Sequence, residues 1–166
     1  MLDLINTDFF KGKIVLVTGG NGQLGTDITK MYKELNCKVY SLDIKTTKKN
    51  RINGINQIIL DVSKKSECKK VIKYIYKKEK KIDILINNAG ASIFSHYSKR
   101  SEKEMDLVYK VNLKGTINMI VELTNLIRNK SKTKIDIINI SSIYGLKAPN
   151  FKIYKKGDRF NSEIYG

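Results

Sequence analysis

The sequence predicts an α/β fold in which a doubly wound parallel sheet carries helices on both faces. Three observations predict it. Short apolar runs rich in branched residues recur along the 166 residues. Stretches with helical apolar spacing separate them. A glycine cluster stands where the first run gives way to the first helix.

Lys13–Thr18 (KIVLVT) reads as the first buried strand. After the glycines, Ile28, Met31, Tyr32 and Leu35 recur at helical spacing and predict an inward stripe. Lys38–Asp43 (KVYSLD) and Gln57–Asp61 (QIILD) are the second and third strands. Ser63 is placed to cap a helix whose inner face is Cys68, Val71, Ile72 and Ile75. Asp83–Asn87 (DILIN) is the fourth strand. Ser101-x-x-Glu104 has the form of a capping box and opens a long helix through Met105, Val108 and Val111 to Leu126. Lys134–Ile140 (KIDIINI) is the fifth strand, and Pro149 falls in the last loop.

A chain of this length is one domain and long enough for a real core. At 41% apolar residues it is not a disordered segment. Met1–Asp3 has no basic n-region and Ile14–Val17 is too short to cross a bilayer, so the expectation is a soluble cytoplasmic protein without a membrane partner. Cys37 and Cys68 show no metal or redox spacing and read as reduced structural thiols. The single histidine, His96, excludes a histidine-based triad or metal cluster. The net charge of +16 raises nucleic-acid binding. Against it, lysines such as Lys69, Lys70, Lys73, Lys77 and Lys78 are spread over outer helix faces, with no aromatic-interleaved basic motif. No specific nucleic-acid partner is expected.

The glycine cluster is Thr18-Gly19-Gly20-Asn21-Gly22-Gln23-Leu24-Gly25, in which Gly20, Gly22 and Gly25 fit G-x-G-x-x-G. Such glycines let the backbone turn tightly and approach a pyrophosphate, while the helix N-terminus beyond offers unpaired N–H groups. The pattern alone is weak. Here it follows a strand, opens a helix, and is answered by Asp43, 18 positions after Gly25 at the end of the second strand. A carboxylate there accepts from the ribose hydroxyls of NAD and repels the 2′-phosphate of NADP. NAD is therefore preferred to NADP, although Lys45 lies close by. The competing reading is a tight turn without a ligand, with Asp43 a plain strand-end residue.

Four further stretches join this one: Asp61-Val62 after the third strand, Asn87-Asn88-Ala89-Gly90 after the fourth, Asn112 within VNLKG on the long helix, and Ser141-Ser142 after the fifth. Together with the TG-start loop, in this order over nearly the whole chain, they resemble the short-chain dehydrogenase/reductase family, in its compact oxidoreductase branch. The glycine loop departs from the commonest version, because Gln23 stands where Gly or Ala is usual and Gly22 lies one step earlier. That spacing also occurs in the extended, nucleotide-sugar branch.

The resemblance implies a Rossmann-type domain over residues 1–166, truncated after the fifth strand and catalytic-loop region and so incomplete at its C-terminus. It implies cofactor contacts from Thr18 to Gly25 and from Asp43. Asp61 would bond the adenine amino group and Val62 would help position it. Asn88, Ala89 and Gly90 would lie along the cofactor. Asn112 would kink its helix and hold a water in a proton relay. Ser142, followed by two residues and Gly145, would be the catalytic serine. For each, a structural alternative stands: a helix-start acid at Asp61, a turn former at Asn88, a solvent-facing amide at Asn112, a turn-capping hydroxyl at Ser142.

The family's acid/base residue is the tyrosine of Y-x-x-x-K. Tyr144 and Tyr154 are followed four positions later by Ala148 and Asp158. Tyr165 remains, 23 positions after Ser142, with its lysine position beyond Gly166. The stretch APNFKIYKKGDRFNSE between them resembles the loop of a subgroup called flagellin modification protein A and related carbohydrate-pathway reductases, which supports Tyr165 as catalytic. A phenol with an ordinary pKa of about 10 needs a nearby cation to act as a base near neutral pH.

The expected function is thus an NAD(H)-dependent oxidoreductase acting on a small hydroxyl/carbonyl substrate, with the full-length form a homo-oligomer and this chain a truncated, weakly active or inactive form. An extended-branch nucleotide-sugar epimerase or dehydratase, and a non-catalytic dinucleotide-binding protein, are the alternatives.

Overall fold

The computed structural model describes residues 7–48, 54–93, 95, 99–128 and 134–147. Its framework is a five-stranded sheet in the order β3-β2-β1-β4-β5, all pairs parallel. The strands are β1 (Ile14–Thr18), β2 (Lys38–Asp43), β3 (Asn56–Ile59), β4 (Ile84–Asn87) and β5 (Asp136–Asn139). Strand β1 is buried at every position, as a central parallel strand covered on both faces must be.

Two apolar layers sandwich the sheet. Residues Val15, Val17, Val39, Ile84 and Ile86 face one way and pack with Tyr32 and Leu35 at the end of α1 (Gln23–Glu34). Leu16, Tyr40, Leu42 and Leu85 face the other way, toward Cys68, Ile72 and Ile75 of α2 (Lys65–Glu79) and Met119 and Leu123 of α4 (Thr116–Ile127). The alternation of side chains along a strand assigns neighbouring residues to opposite layers. The α1 stripe is narrower than its spacing predicts: Met31 is 40% exposed, while Tyr32 and Leu35 are buried.

Burial pushes the Cys68 thiol up to about 12 and raises that of Cys37 as well. Both are free, buried and protonated near neutral pH, so they serve as small apolar groups rather than nucleophiles. Lys69, Lys70, Lys73, Lys77 and Lys78 are all exposed on α2. Among the described residues no helix is long and apolar enough to cross a membrane.

Two helix starts behave differently. Ser63 does not cap α2. Its N-cap is Lys64, without a side-chain bond, so Ser63 stands one residue before the cap position, with its hydroxyl donating to Asp61 Oδ1 at 2.6 Å. Ser101 does cap α3 (Glu102–Val108): its Oγ accepts from the Glu104 N–H, and Glu104 Oε2 accepts from the Ser101 N–H at 2.7 Å. Ser101→Ala should therefore lower stability by about 1 kcal/mol, with Ser101→Thr nearly neutral. Thermal melting of the two variants checks this.

The long helix predicted from Ser101 to Leu126 is one helical run with a wide-turned segment inside it. Residues Tyr109–Gly115 form a π-helical stretch between α3 and α4. Strand β5 is the sheet edge among the described residues, with Ile137 and Ile138 37% and 41% exposed.

Candidate functional site

The strand order reverses direction beside β1: the chain moves outward through β2 and β3, then returns to the other side for β4 and β5. Loops after β1 and β4 therefore part at the carboxyl ends of the strands and leave a crevice. An open cleft of about 1180 Å³ lies there. Its lining runs from the glycine loop and Asp43 through Asp61-Val62 and Asn88–Gly90 to Asn112 and Ser142. Residues gathered from the ends of all five strands thus meet at one surface.

The glycine loop is held by main-chain contacts at Gly19 and Gly25. Gly19 has a positive φ of 62°, and its N–H donates to Leu42 O at 2.7 Å. Gly25 sits where the first turn of α1 crosses the loop. A Cβ there would lie 2.1 Å from Gly19 O and 2.8 Å from Gly20 Cα, so no other residue fits without displacing main chain. No side chain caps α1 at Gly22, so the first-turn N–H groups are not taken by a cap. A helix N-terminus in that condition suits an anion.

Thr18 and Asn88 strap the loop to the end of β4. Thr18 Oγ1 accepts from the N–H groups of Asn88 and Ala89, each at 3.0 Å. Asn88 Nδ2 donates back to Thr18 O at 3.0 Å and Gly19 O at 3.1 Å. The Asn88 side chain is therefore committed to the loop itself. Gly90 is different: the nearest atom to a Cβ there would be 3.8 Å away, so the free protein has room for one.

Asp43 Oδ2 accepts from the Asn21 N–H at 3.0 Å, and Oδ1 has a longer contact of 3.4 Å with the Lys45 N–H. Asp61 Oδ1 accepts from both the amide and the hydroxyl of Ser63, at 3.0 and 2.6 Å. Burial would raise the Asp61 pKa, but the two Ser63 bonds and the Lys64 ammonium outweigh it and hold the carboxyl below its usual range. Val62 is 6% exposed, and its carbonyl accepts from Asn118 Nδ2 at 2.9 Å.

Asn112 lies in the π-helical stretch, and its amide clasps the loop after β4 in both directions. Ala91 N–H donates to Oδ1 at 2.7 Å, and Nδ2 donates to Ala91 O at 3.0 Å. The wide turn puts this amide at the cleft instead of in solvent. Ser142 lines the cleft too, while its Oγ accepts from the Tyr144 N–H at 3.2 Å. Tyr165 and Tyr154 lie outside the described residues.

Sequence reasoning missed three members of this arrangement. Ser41, fully buried on β2, donates to Asn21 Oδ1 at 2.7 Å. Asn118 ties α4 to the loop after β3. Thr116 donates through its hydroxyl to Asn112 O at 3.0 Å. Ser41 and Asn118 left a signal: each is a polar residue at a position whose periodicity points inward.

A cleft lined by a glycine turn at the switch point of a 3-2-1-4-5 parallel sheet defines a Rossmann-type α/β protein. A family model described as short chain dehydrogenase matches residues 13–155, and the chain belongs to that family. It is 27% identical over 153 residues to a 3-ketodihydrosphingosine reductase from Bacteroides thetaiotaomicron, a match covering 92% of this chain and 55% of that protein. A 3-oxoacyl-[acyl-carrier-protein] reductase from Thermotoga maritima is 28% identical, with 82% of this chain and 58% of that protein covered. A solved short chain dehydrogenase from Leptospira borgpetersenii, with bound NAD+, superimposes with a TM-score of 0.85 at 32% identity, covering 96% of this chain and 61% of that one. The chain spans a little over half the length of these relatives.

Proposed function

We propose that this chain is the dinucleotide-binding part of an NAD(H)-dependent oxidoreductase acting on a hydroxyl/carbonyl substrate, carbohydrate-related in the reading the last loop supports. One observation carries it: an uncapped helix N-terminus behind a glycine loop that admits no side chain at Gly25, faced across the same cleft by Asp43. That donor set fits a pyrophosphate joined to a ribose. The family's oxidoreductase relatives and the NAD+ bound in the Leptospira protein support the same reading.

In this reading Gln23 and Leu24, at the start of α1, bring main-chain N–H groups to the pyrophosphate beside Gly20, while Asn21, whose N–H donates to Asp43, and Gly22, whose N–H donates to Gly19 O, keep that loop in shape with Thr18, Gly19 and Gly25. Asp43 takes the adenosine ribose and disfavours a 2′-phosphate, so NAD is the cofactor and NADP the poorer ligand. Asp61 and Val62 flank the adenine. Asn88, Ala89 and Gly90 line the path toward the nicotinamide. When bound, that ring gives or accepts hydride. Ser142 holds the substrate oxygen by donating its hydroxyl proton, while its Oγ goes on accepting from the Tyr144 amide. Tyr165 is the acid/base residue by resemblance. Both ends of the Asn112 amide are engaged with Ala91, so its relay role falls to its main-chain carbonyl, which also accepts from the Thr116 hydroxyl.

Calorimetry tests the binding half of this proposal. The folded chain should bind NAD, and Asp43→Ala should weaken binding about tenfold, the loss of a charge-assisted hydrogen bond of about 1.5 kcal/mol. No heat of binding at millimolar NAD from a folded, cooperatively melting sample would overturn it.

A further inference from the structure

The acid that faces the ribose side of the cleft is not held by its own strand alone. Asn21, 9% exposed, reaches three elements at once. Its main-chain N–H donates to Asp43 Oδ2 at 3.0 Å. Its Oδ1 accepts from the buried Ser41 hydroxyl at 2.7 Å. Its Nδ2 donates to the carbonyl of Lys45 on the turn after β2. Ser41 in turn sits directly under Gly20, in the space a side chain there would fill. The Lys45 carbonyl fixes the amide's orientation, because it accepts only and so takes Nδ2, and the Ser41 hydroxyl then donates to Oδ1.

Two consequences follow for the cleft. The Asp43 carboxylate is turned so that Oδ2 is spent on the glycine loop, leaving Oδ1 with one long contact of 3.4 Å from the Lys45 amide. The turn carrying Ile44 and Lys45 is tied down by its carbonyl at the point where an exposed cation follows the acid by two positions. Lys45 lines the same cleft. An untethered turn would let that ammonium approach a phosphate on the ribose, which is the interaction that would favour NADP.

We propose that Asn21 is the positioning residue that sets dinucleotide selectivity, its side chain anchoring the peptide whose N–H orients Asp43 and restraining the Lys45 turn so that a 2′-hydroxyl is accepted and a 2′-phosphate is not. The proposal rests on the dinucleotide reading of the cleft. Asn21 acts through its neighbours, so its removal changes a ratio of affinities more than it changes binding as a whole.

The experiment is calorimetric titration of the chain with NAD and with NADP, for the native protein, Asn21→Ala, Ser41→Ala, Asp43→Ala and the Asn21→Ala/Asp43→Ala pair. Asn21→Ala keeps the main-chain N–H that Asp43 accepts from and removes the anchors to Ser41 and Lys45, so it should weaken NAD about fivefold, less than Asp43→Ala does, and leave NADP unchanged or tighter. Ser41→Ala, which removes one hydroxyl and leaves the Asn21 side chain in place, should shift the ratio the same way by about threefold. It also serves where Asn21→Ala does not fold. The double variant should lose less selectivity than the two single changes added together, because part of the Asn21 effect passes through Asp43. Equal weakening of both dinucleotides by Asn21→Ala and by Ser41→Ala, or an additive double variant, would overturn the proposal while leaving the cofactor reading intact. A folded native chain that binds neither dinucleotide would overturn both.

Discussion

Thr18→Val should destabilise the protein by about 2–4 kcal/mol while leaving its shape unchanged. Valine matches threonine in volume, so the substitution isolates the hydroxyl. That hydroxyl accepts from the Asn88 and Ala89 amides at 3.0 Å each, and Thr18 itself is 1% exposed. Removing one acceptor leaves two amide donors without it, at about 1–3 kcal/mol each when buried and less where water reaches them. Asn88 and Ala89 are half-buried, so the lower part of that range applies. In a chain of this length, each kcal/mol lowers the melting temperature by about 2–4 °C. Thr18→Ser keeps the hydroxyl and should cost about 1 kcal/mol, the loss of one methyl group. A Thr18→Val protein that melts with the native one would show that the strap between the glycine loop and β4 is not a source of stability.

This strap marks the boundary between what the sequence displayed and what it concealed. The alternation of apolar runs with helical stripes was enough for five strands, their parallel arrangement and helices on both faces, because each signal is local and repeated. The order β3-β2-β1-β4-β5 was not carried by those local signals and is seen only in the folded sheet. Side-chain commitments are another matter. Thr18, Asn88 and Asn112 stood out as members of motifs, yet the partners they hold lie 70, 70 and 21 positions away in sequence. Ser63 shows the converse error. A serine before a helix has the right chemistry to cap it, but the cap position falls one residue later, at Lys64, and the Ser63 hydroxyl donates to Asp61 two residues earlier.

The π-helical stretch was concealed for a geometric reason. Val108, Val111 and Leu126 satisfy ordinary helical spacing well enough that an extra residue in one turn leaves the stripe readable. The wide turn is visible only in where it delivers the Asn112 amide, against Ala91 across the cleft. Met31 fails for a simpler reason: it lies at the rim of the α1 stripe, 40% exposed, while Ile28, Tyr32 and Leu35 carry the packing of that helix.

Gly25→Val should abolish measurable dinucleotide binding, a loss of at least about 100-fold, or about 2.7 kcal/mol. The cause is steric and lies in the main chain. The first side-chain carbon would stand 2.1 Å from Gly19 O and 2.8 Å from Gly20 Cα, atoms that cannot rotate aside. The glycine loop would have to lift from the start of α1, and with it the Gly19 amide bonded to Leu42 O and the Asn21 amide bonded to Asp43. Donors displaced by an ångström no longer converge on one anion. The melting temperature should fall as well, since overpacking of this kind costs about 1–3 kcal/mol. Gly90→Ala supplies the contrast. With 3.8 Å to its nearest neighbour, that methyl group should leave melting unchanged, and any loss of affinity would come from a ligand lying against it. Titration calorimetry and thermal melting separate the two variants: Gly25→Val should lose both stability and binding, and Gly90→Ala binding alone. A Gly25→Val protein that still binds NAD at native affinity would mean that the dinucleotide does not lie over the glycine loop, and the assignment of that loop to the pyrophosphate would fall with it.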